Sequence, residues 1–132
     1  MKLVTIATHN ERMFNIFKES AEKHGHDLVV LGFGQKWRGF TMRYELMLEY
    51  LNKIDDNEIV MHADAFDSIV LSGPDEIEKN FKKFNKPIIF GIEMFNNTYF
   101  MNYFLSKTAF NIYKKDNILY YINGGSYIGY AK

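Results

Sequence analysis

The sequence contains no cysteine among its 132 residues. This absence excludes disulfide bridges, zinc sites built on thiolates and cysteine nucleophiles. Sixteen basic residues balance sixteen acidic ones, so the chain lacks the basic surplus that is typical of duplex nucleic-acid binders. No apolar run approaches the ~20 residues of a membrane span, and the first one, residues 3–7, continues into polar sequence unlike a signal peptide. We therefore expect no nucleic-acid or membrane partner and favour a cytoplasmic location.

Segments with strand and helix patterns alternate along the chain. Apolar runs predict strands at 3–7, 28–31, 59–61, 87–92, 118–122 and 126–131, the last two on either side of a turn at 123–125. Helical spacing predicts helices at 13–24 and 42–54, a third that starts within 72–76, and a short one at 99–105. With 47% hydrophobic residues and no linker, the pattern predicts one α/β domain over residues 1–132, with a mostly parallel sheet flanked by helices.

Three segments are candidates for ligand binding, because ligands bind beyond the carboxyl ends of parallel strands. They are residues 8–11, 32–39 and 64–67. The last segment holds Asp64 and Asp67, two carboxylates that repel each other unless a cation lies between them. Hard oxygen ligands of this kind suit magnesium or manganese. Two acids at this spacing are nevertheless common, and taken alone they are more often a turn cap and a surface acid.

The glycine-rich loop at 32–39 contains Trp37, the only tryptophan. An indole in a loop can stack on a nucleobase, or it can fold back over the edge of the sheet. The glycines of this loop do not form a dinucleotide fingerprint. The four histidines share no ligand spacing: we expect His24 and His26 in solvent near the end of the first helix, and His62 as a hydrogen-bonded histidine at a strand end.

Five short motifs occur one after another along the chain, and the series is more informative than any one of them. They are residues 3–8, 31–39, 64–74, 90–93 and 123–131. This series resembles the glycosyltransferase domain of procollagen lysyl hydroxylases and its collagen galactosyltransferase-like and giant-virus relatives. The resemblance implies a GT-A fold, in which a Rossmann-like nucleotide-binding half precedes an acceptor half. It also implies an enzyme that uses Mn²⁺ (or Mg²⁺) to transfer glucose or galactose from a UDP-sugar to hydroxylysine or galactosyl-hydroxylysine.

The resemblance assigns roles to five residues. Asp64 and Asp67 match the two metal-binding aspartates of the family, and Trp37 matches the loop tryptophan that stacks on uridine. Thr8 matches a threonine beside the nucleotide, and Phe66 takes the place of an aromatic residue next to the donor. No nucleophile or base can be named. The family's glycine run before the second helix is shortened here to residues 39–41 and lacks its lysine.

The family's later acidic motif and later metal-binding histidine would lie beyond Lys132. The resemblance therefore predicts that the chain is the N-terminal, donor-binding portion of a GT-A domain. Two functions are compatible with that expectation: a UDP-sugar-dependent hexosyltransferase, or a module that binds UDP-sugar and metal without transfer. A flavodoxin-like or receiver-like signalling domain is disfavoured, because polar but largely uncharged residues, 8–10, follow the first strand where that class has acids.

Overall fold

The structure is a computed structural model that describes residues 1–94, 114–115 and 118–132. The described chain contains three helices, α1 (Phe14–Lys23), α2 (Thr41–Leu51) and α3 (Pro74–Lys83). It contains six strands, β1 (Lys2–Ile6), β2 (Leu28–Leu31), β3 (Ile59–Ala63), β4 (Ile88–Met94), β5 (Lys114–Lys115) and β6 (Ile118–Tyr130). The short helix predicted at 99–105 lies outside the described residues.

The chain divides into two compact units, Met1–Ile89 with Gly125–Lys132, and Phe90–Gly124. The first unit holds the three helices, strands β1, β2 and β3, and the last residues of β6. In the second unit, β5 pairs with the beginning of β6 in an antiparallel ladder. That residues 1–132 form one domain stays a prediction.

The sheet has the strand order β2-β1-β3-β6-β4. Strand β1 lies between β2 and β3 and pairs in parallel with both. Strand β6 runs antiparallel to β3, with Ile59 opposite Tyr130 and Ala63 opposite Ser126. The predicted α/β class is thus confirmed: a mostly parallel, mixed sheet is flanked by helices, as in part of a Rossmann-like GT-A domain.

Two hydrophobic clusters pack on the sheet, and β1 divides its side chains between them. Leu3 and Ala7 belong to a cluster with the buried face of α1, which includes Phe17. Val4 and Ile6 belong to a second cluster with Met47 of α2 and its neighbours. Because successive side chains of a strand point to opposite faces, this division places α1 and α2 on the two faces of the sheet.

Local signals explain where the helices begin and end. Pro74 stands at the start of α3, with Asp75 and Glu76 in the first turn and lysines in the last. This arrangement matches the fixed φ of proline and the dipole of the helix. Helix α1 ends just before Gly25, which has a φ of +74° and so adopts the left-handed conformation that glycine favours at such ends. None of the helices in the described part of the chain has the length and hydropathy of a membrane span.

Two predictions from the sequence are wrong. Residues 123–125 do not form a turn between two strands, because β6 is continuous from Ile118 to Tyr130. The ladder with β3 covers residues 126–130 of this strand, and directly before it the Asp64 amide donates a hydrogen bond to the Gly125 carbonyl at 2.9 Å. His26 is not in solvent but buried, and its Nε2 lies 2.7 Å from the carbonyl oxygen of Ser72, to which it donates.

Candidate functional site

A cavity of about 380 Å³ lies at the carboxyl ends of β1 and β3, within the first compact unit. Its volume falls within the ~300–1,000 Å³ that small-molecule sites occupy. Polar and charged side chains from the ends of both strands and from α2 share its lining with aromatic side chains. The lining residues are Ile6, Thr8, His9, Glu11, Arg12, Trp37, Phe40, Arg43, Asp64 and Phe66.

The segment after β1 forms a chain of polar contacts along one wall. His9 Nε2 lies 2.8 Å from a carboxylate oxygen of Glu11, so this nitrogen carries a hydrogen and donates it. In neutral His9 the other nitrogen, Nδ1, then accepts a hydrogen bond from the Thr8 hydroxyl, 2.9 Å away. Glu11 also pairs with Arg12 at 3.4 Å. The buried Thr8 is therefore held in one orientation, with its oxygen lone pairs free of this contact.

Aromatic side chains form a further part of the cavity lining. Trp37 is 43% exposed and meets Phe40 edge to face, with ring centroids 5.9 Å apart. Phe66 packs against the buried Phe14 at 6.3 Å and against His9 at 6.0 Å. A flat apolar ligand group would therefore find one exposed indole and one supported phenyl ring in this cavity.

The carboxylate of Asp64 is half-buried and has different partners at its two oxygens. Oδ1 accepts a hydrogen bond from the Phe66 amide at 3.1 Å, which closes a turn directly after β3. Oδ2 lies 3.7 Å from Arg43 Nη2, a charge contact longer than a hydrogen bond. The Asp64 backbone is fixed too, since its carbonyl accepts a hydrogen bond from the Ser68 hydroxyl.

Arg43 is held by a buried histidine. His62 is 1% exposed, and its Nδ1 lies 3.1 Å from the Val4 carbonyl, which can only accept. Nδ1 therefore carries the hydrogen, and Nε2 accepts from Arg43 Nη2 at 3.1 Å. Burial, together with the neighbouring Arg43 charge, lowers the pKa of His62 to about 4, so that it is neutral at pH 7. His62 thus behaves as the hydrogen-bonded strand-end histidine that the sequence predicts.

Asp67 is exposed and is not among the residues that line the cavity. In the part of the chain that the structure describes, no three His, Cys, Asp or Glu side chains gather closely enough to hold a metal ion. Two carboxylates nevertheless supply the oxygen ligands that Mn²⁺ or Mg²⁺ takes, usually together with substrate phosphates. The Arg43 cation beside Asp64 shows that positive charge is accommodated at this position. Of the two candidate ligands, only Asp64 lines the cavity, and its carboxylate is an oxygen ligand of the kind that such an ion takes.

The structure brings together four of the five site residues named from the sequence: Thr8, Trp37, Asp64 and Phe66 line one cavity. The sequence analysis did not find Arg43. The sequence does contain a signal for it. Arg43 lies three and four residues before Leu46 and Met47, which pack into the second hydrophobic cluster, so the spacing places all three on the same face of α2. A charged residue on the packed face of a helix needs a partner, and here the partners are His62 and Asp64.

The chain is similar in sequence to several known proteins. The procollagen-lysine,2-oxoglutarate 5-dioxygenase 2 of Homo sapiens is 29% identical over 140 residues, which cover 98% of this chain and 18% of that protein. Procollagen-lysine,2-oxoglutarate 5-dioxygenase 1 of Bos taurus is 29% identical over 99 residues, 69% of this chain and 14% of that protein. An uncharacterized protein of Acanthamoeba polyphaga mimivirus is 25% identical over 138 residues, 96% of this chain and 29% of that protein.

The chain thus spans less than a fifth of the length of the human and bovine relatives. The family model of the PLOD GT domain matches residues 1–132. This match covers every residue of the cavity and all five motifs that carry the resemblance in the sequence. The chain belongs to the PLOD GT domain family of glycosyltransferase-like domains.

Proposed function

We propose that this chain is the donor-binding domain of a UDP-sugar-dependent hexosyltransferase, and that the cavity between β1, β3 and α2 binds UDP-glucose or UDP-galactose with Mn²⁺ or Mg²⁺. The observation that carries the proposal is the convergence of Thr8, Trp37, Asp64 and Phe66 on one cavity. Membership of a glycosyltransferase-like family supports it. The acceptors we propose are hydroxylysine or galactosyl-hydroxylysine, by analogy with the procollagen-lysine relatives.

The proposed roles follow from the surroundings of each side chain. Trp37 has an exposed indole on which the uracil ring can stack. The Thr8 oxygen, oriented by His9, can accept a hydrogen bond from the nucleotide. Phe66, supported by Phe14, offers an apolar surface to the sugar side of the donor. Asp64 and Asp67 would hold the divalent cation, which supplies positive charge next to the diphosphate.

Transfer breaks the bond between the anomeric carbon of the sugar and the β-phosphate oxygen, and UDP leaves with the electron pair. The acceptor hydroxyl forms the new bond and loses its proton. Negative charge therefore develops on UDP, and this cavity stabilises it only if cationic groups already lie beside the diphosphate. Among the lining residues, Arg12 and Arg43 are the cationic groups of the chain itself.

Isothermal titration calorimetry with UDP, in the presence and absence of MnCl₂, tests the proposal. We expect Mn²⁺ to raise the affinity for UDP in the parent chain, and Asp64→Asn or Asp67→Asn to remove most of that gain. Asparagine keeps the oxygen that accepts from the Phe66 amide, so the fold is retained. Asp56→Asn is the matched control, because Asp56 precedes β3 at the end opposite to Asp64 and pairs with Lys132. Equal gains in all four proteins would contradict the proposed metal site.

A further inference from the structure

The cavity holds one partly buried cation, Arg43, whose ligand the proposed function leaves unnamed. The Arg43 side chain is 22% exposed, whereas the other lining arginine, Arg12, is 70% exposed and pairs with Glu11. Burying a guanidinium is costly unless partners compensate for the lost water. In the described chain Arg43 donates one hydrogen bond, to the neutral Nε2 of His62, and makes a loose contact with Asp64. Its fork has five N–H donors, so donors remain for a ligand.

The position of Arg43 makes it a competitor for the Asp64 carboxylate. A divalent cation bound at Oδ2 would stand within a few ångströms of the guanidinium, which lies 3.7 Å from that oxygen. Two like charges at such a distance repel each other, more strongly in a partly buried site than in water. Without an anion in the cavity, Arg43 therefore weakens metal binding at Asp64.

A nucleoside diphosphate changes this balance. Its phosphates can accept hydrogen bonds from both ends of a guanidinium fork, a geometry for which arginine is well suited. The bound diphosphate would then neutralise Arg43 and at the same time offer oxygens to the metal. His62 holds the guanidinium on the cavity side of β3 and accepts only one of its donors.

We propose that Arg43 couples nucleotide binding to metal binding: it compensates the charge of Asp64 in the empty cavity and binds the diphosphate when UDP enters, which leaves Asp64 to the metal. The inference rests on the proposed function, since it takes UDP and a divalent cation as the ligands. It adds a diphosphate-binding residue and an order of events, in which tight metal binding requires the nucleotide. The coupling is reciprocal, as linkage demands.

The test compares the parent chain with Arg43→Gln and Arg43→Lys in two separate titrations. The first follows free Mn²⁺ by its electron paramagnetic resonance signal as protein is added without nucleotide. The second measures UDP binding by calorimetry in EDTA, without metal. Glutamine can still donate to His62 Nε2 but carries no charge, and lysine restores the charge without the planar guanidinium group. Lys53→Gln is the charge-matched control, because Lys53 is exposed, pairs with Glu49 and does not line the cavity.

We expect opposite effects in the two titrations. Arg43→Gln should bind Mn²⁺ alone at least about threefold more tightly, because a repelling charge is gone. It should bind UDP in EDTA about tenfold more weakly, because a charge-assisted hydrogen bond is lost. Arg43→Lys should recover the weak Mn²⁺ binding and part of the UDP affinity, and Lys53→Gln should match the parent. Disruption of the structure would weaken both ligands, so it cannot produce this pattern.

Two results would overturn the inference alone. One is that Arg43→Gln changes both affinities in the same direction. The other is that Arg43→Gln leaves the affinity for Mn²⁺ unchanged while the parent still binds UDP with Mn²⁺. This second result includes the case in which neither the parent nor Arg43→Gln binds Mn²⁺ in the absence of nucleotide. If the parent binds no UDP even with Mn²⁺, the proposed function itself is refuted and the inference falls with it.

Discussion

Lowering the pH from 7 to 5 should destabilise the ligand-free protein through His62. The folded-state pKa of this histidine is about 4, against an ordinary value of 6.5 in the unfolded chain. Between these values the unfolded chain binds a proton that the folded chain does not, so stability falls as the pH falls. The linkage relation gives a loss of about 2 kcal/mol between pH 7 and pH 5. The surroundings explain the size of the shift.

Besides burial, four groups surround His62, and one of them is the Val4 carbonyl of β1, whose hydrogen bond favours the protonated form. Arg43 of α2 disfavours a second positive charge, Asp64 after β3 favours it weakly, and the Tyr127 ring of β6 packs 4.9 Å away. The remaining groups with shifted pKa values titrate outside this window: the lysines and tyrosines have pKa values raised above 10, and the acids have pKa values lowered from 4.5 or below. These groups are Lys2, Asp27, Glu49, Tyr50, Glu78, Lys82 and Tyr127.

Urea unfolding at pH 7 and pH 5, for the parent and for His62→Gln, measures the effect. Each protein is compared with itself at the two pH values, so the cost of the substitution cancels. The parent should lose about 2 kcal/mol more than His62→Gln on acidification. An equal loss in the parent and in His62→Gln would refute the assignment of a neutral, buried His62.

Three further predictions concern single positions. Gly32 and Gly34 have φ values of +78° and +81°, so replacing either with alanine should lower the free energy of unfolding in urea by about 1–2 kcal/mol. The loss should be larger at Gly32, because the added Cβ would lie 2.7 Å from Leu46 Cδ1, and equal losses would contradict the packing described at Gly32. Phe17→Ala should cost about 3–5 kcal/mol, because Phe17 is fully buried, and a loss below 1 kcal/mol would contradict that burial. Trp37→Ala should weaken UDP binding about ten- to a hundredfold in calorimetry, and unchanged affinity would contradict the stacking role.

Most helices and strands of the first compact unit could be predicted from the sequence. Apolar periodicity predicts α1 and α2, and Pro74 predicts the start of α3. These predictions succeed because the residues that recur at helical spacing are the ones that each helix buries. The glycines of β6 were misleading. Glycine tolerates turns, but residues 123–125 belong to a continuous strand whose next five residues, 126–130, pair with β3, and such long-range pairing cannot be recognised from the local sequence.

The site was predictable in part, for a similar reason. Thr8 and Asp64 follow buried strands, so their convergence at one sheet edge follows from the parallel arrangement of β1 and β3. The Arg43–His62 contact joins a helix to a strand 19 residues further on, and neither residue type alone indicates it. The burial of His26 against Ser72 depends likewise on a contact across 46 residues.

The fluorescence of Trp37 provides the most direct test of the central claim, that this cavity is a metal-dependent binding site for UDP. Trp37 is the only tryptophan and lines the cavity, so its emission reports on this site without labelling. Titration of UDP into the protein with Mn²⁺ should give a saturable change in emission, and Asp64→Asn should shift its midpoint to higher UDP concentration. An emission that UDP leaves unchanged at every Mn²⁺ concentration would contradict the claim.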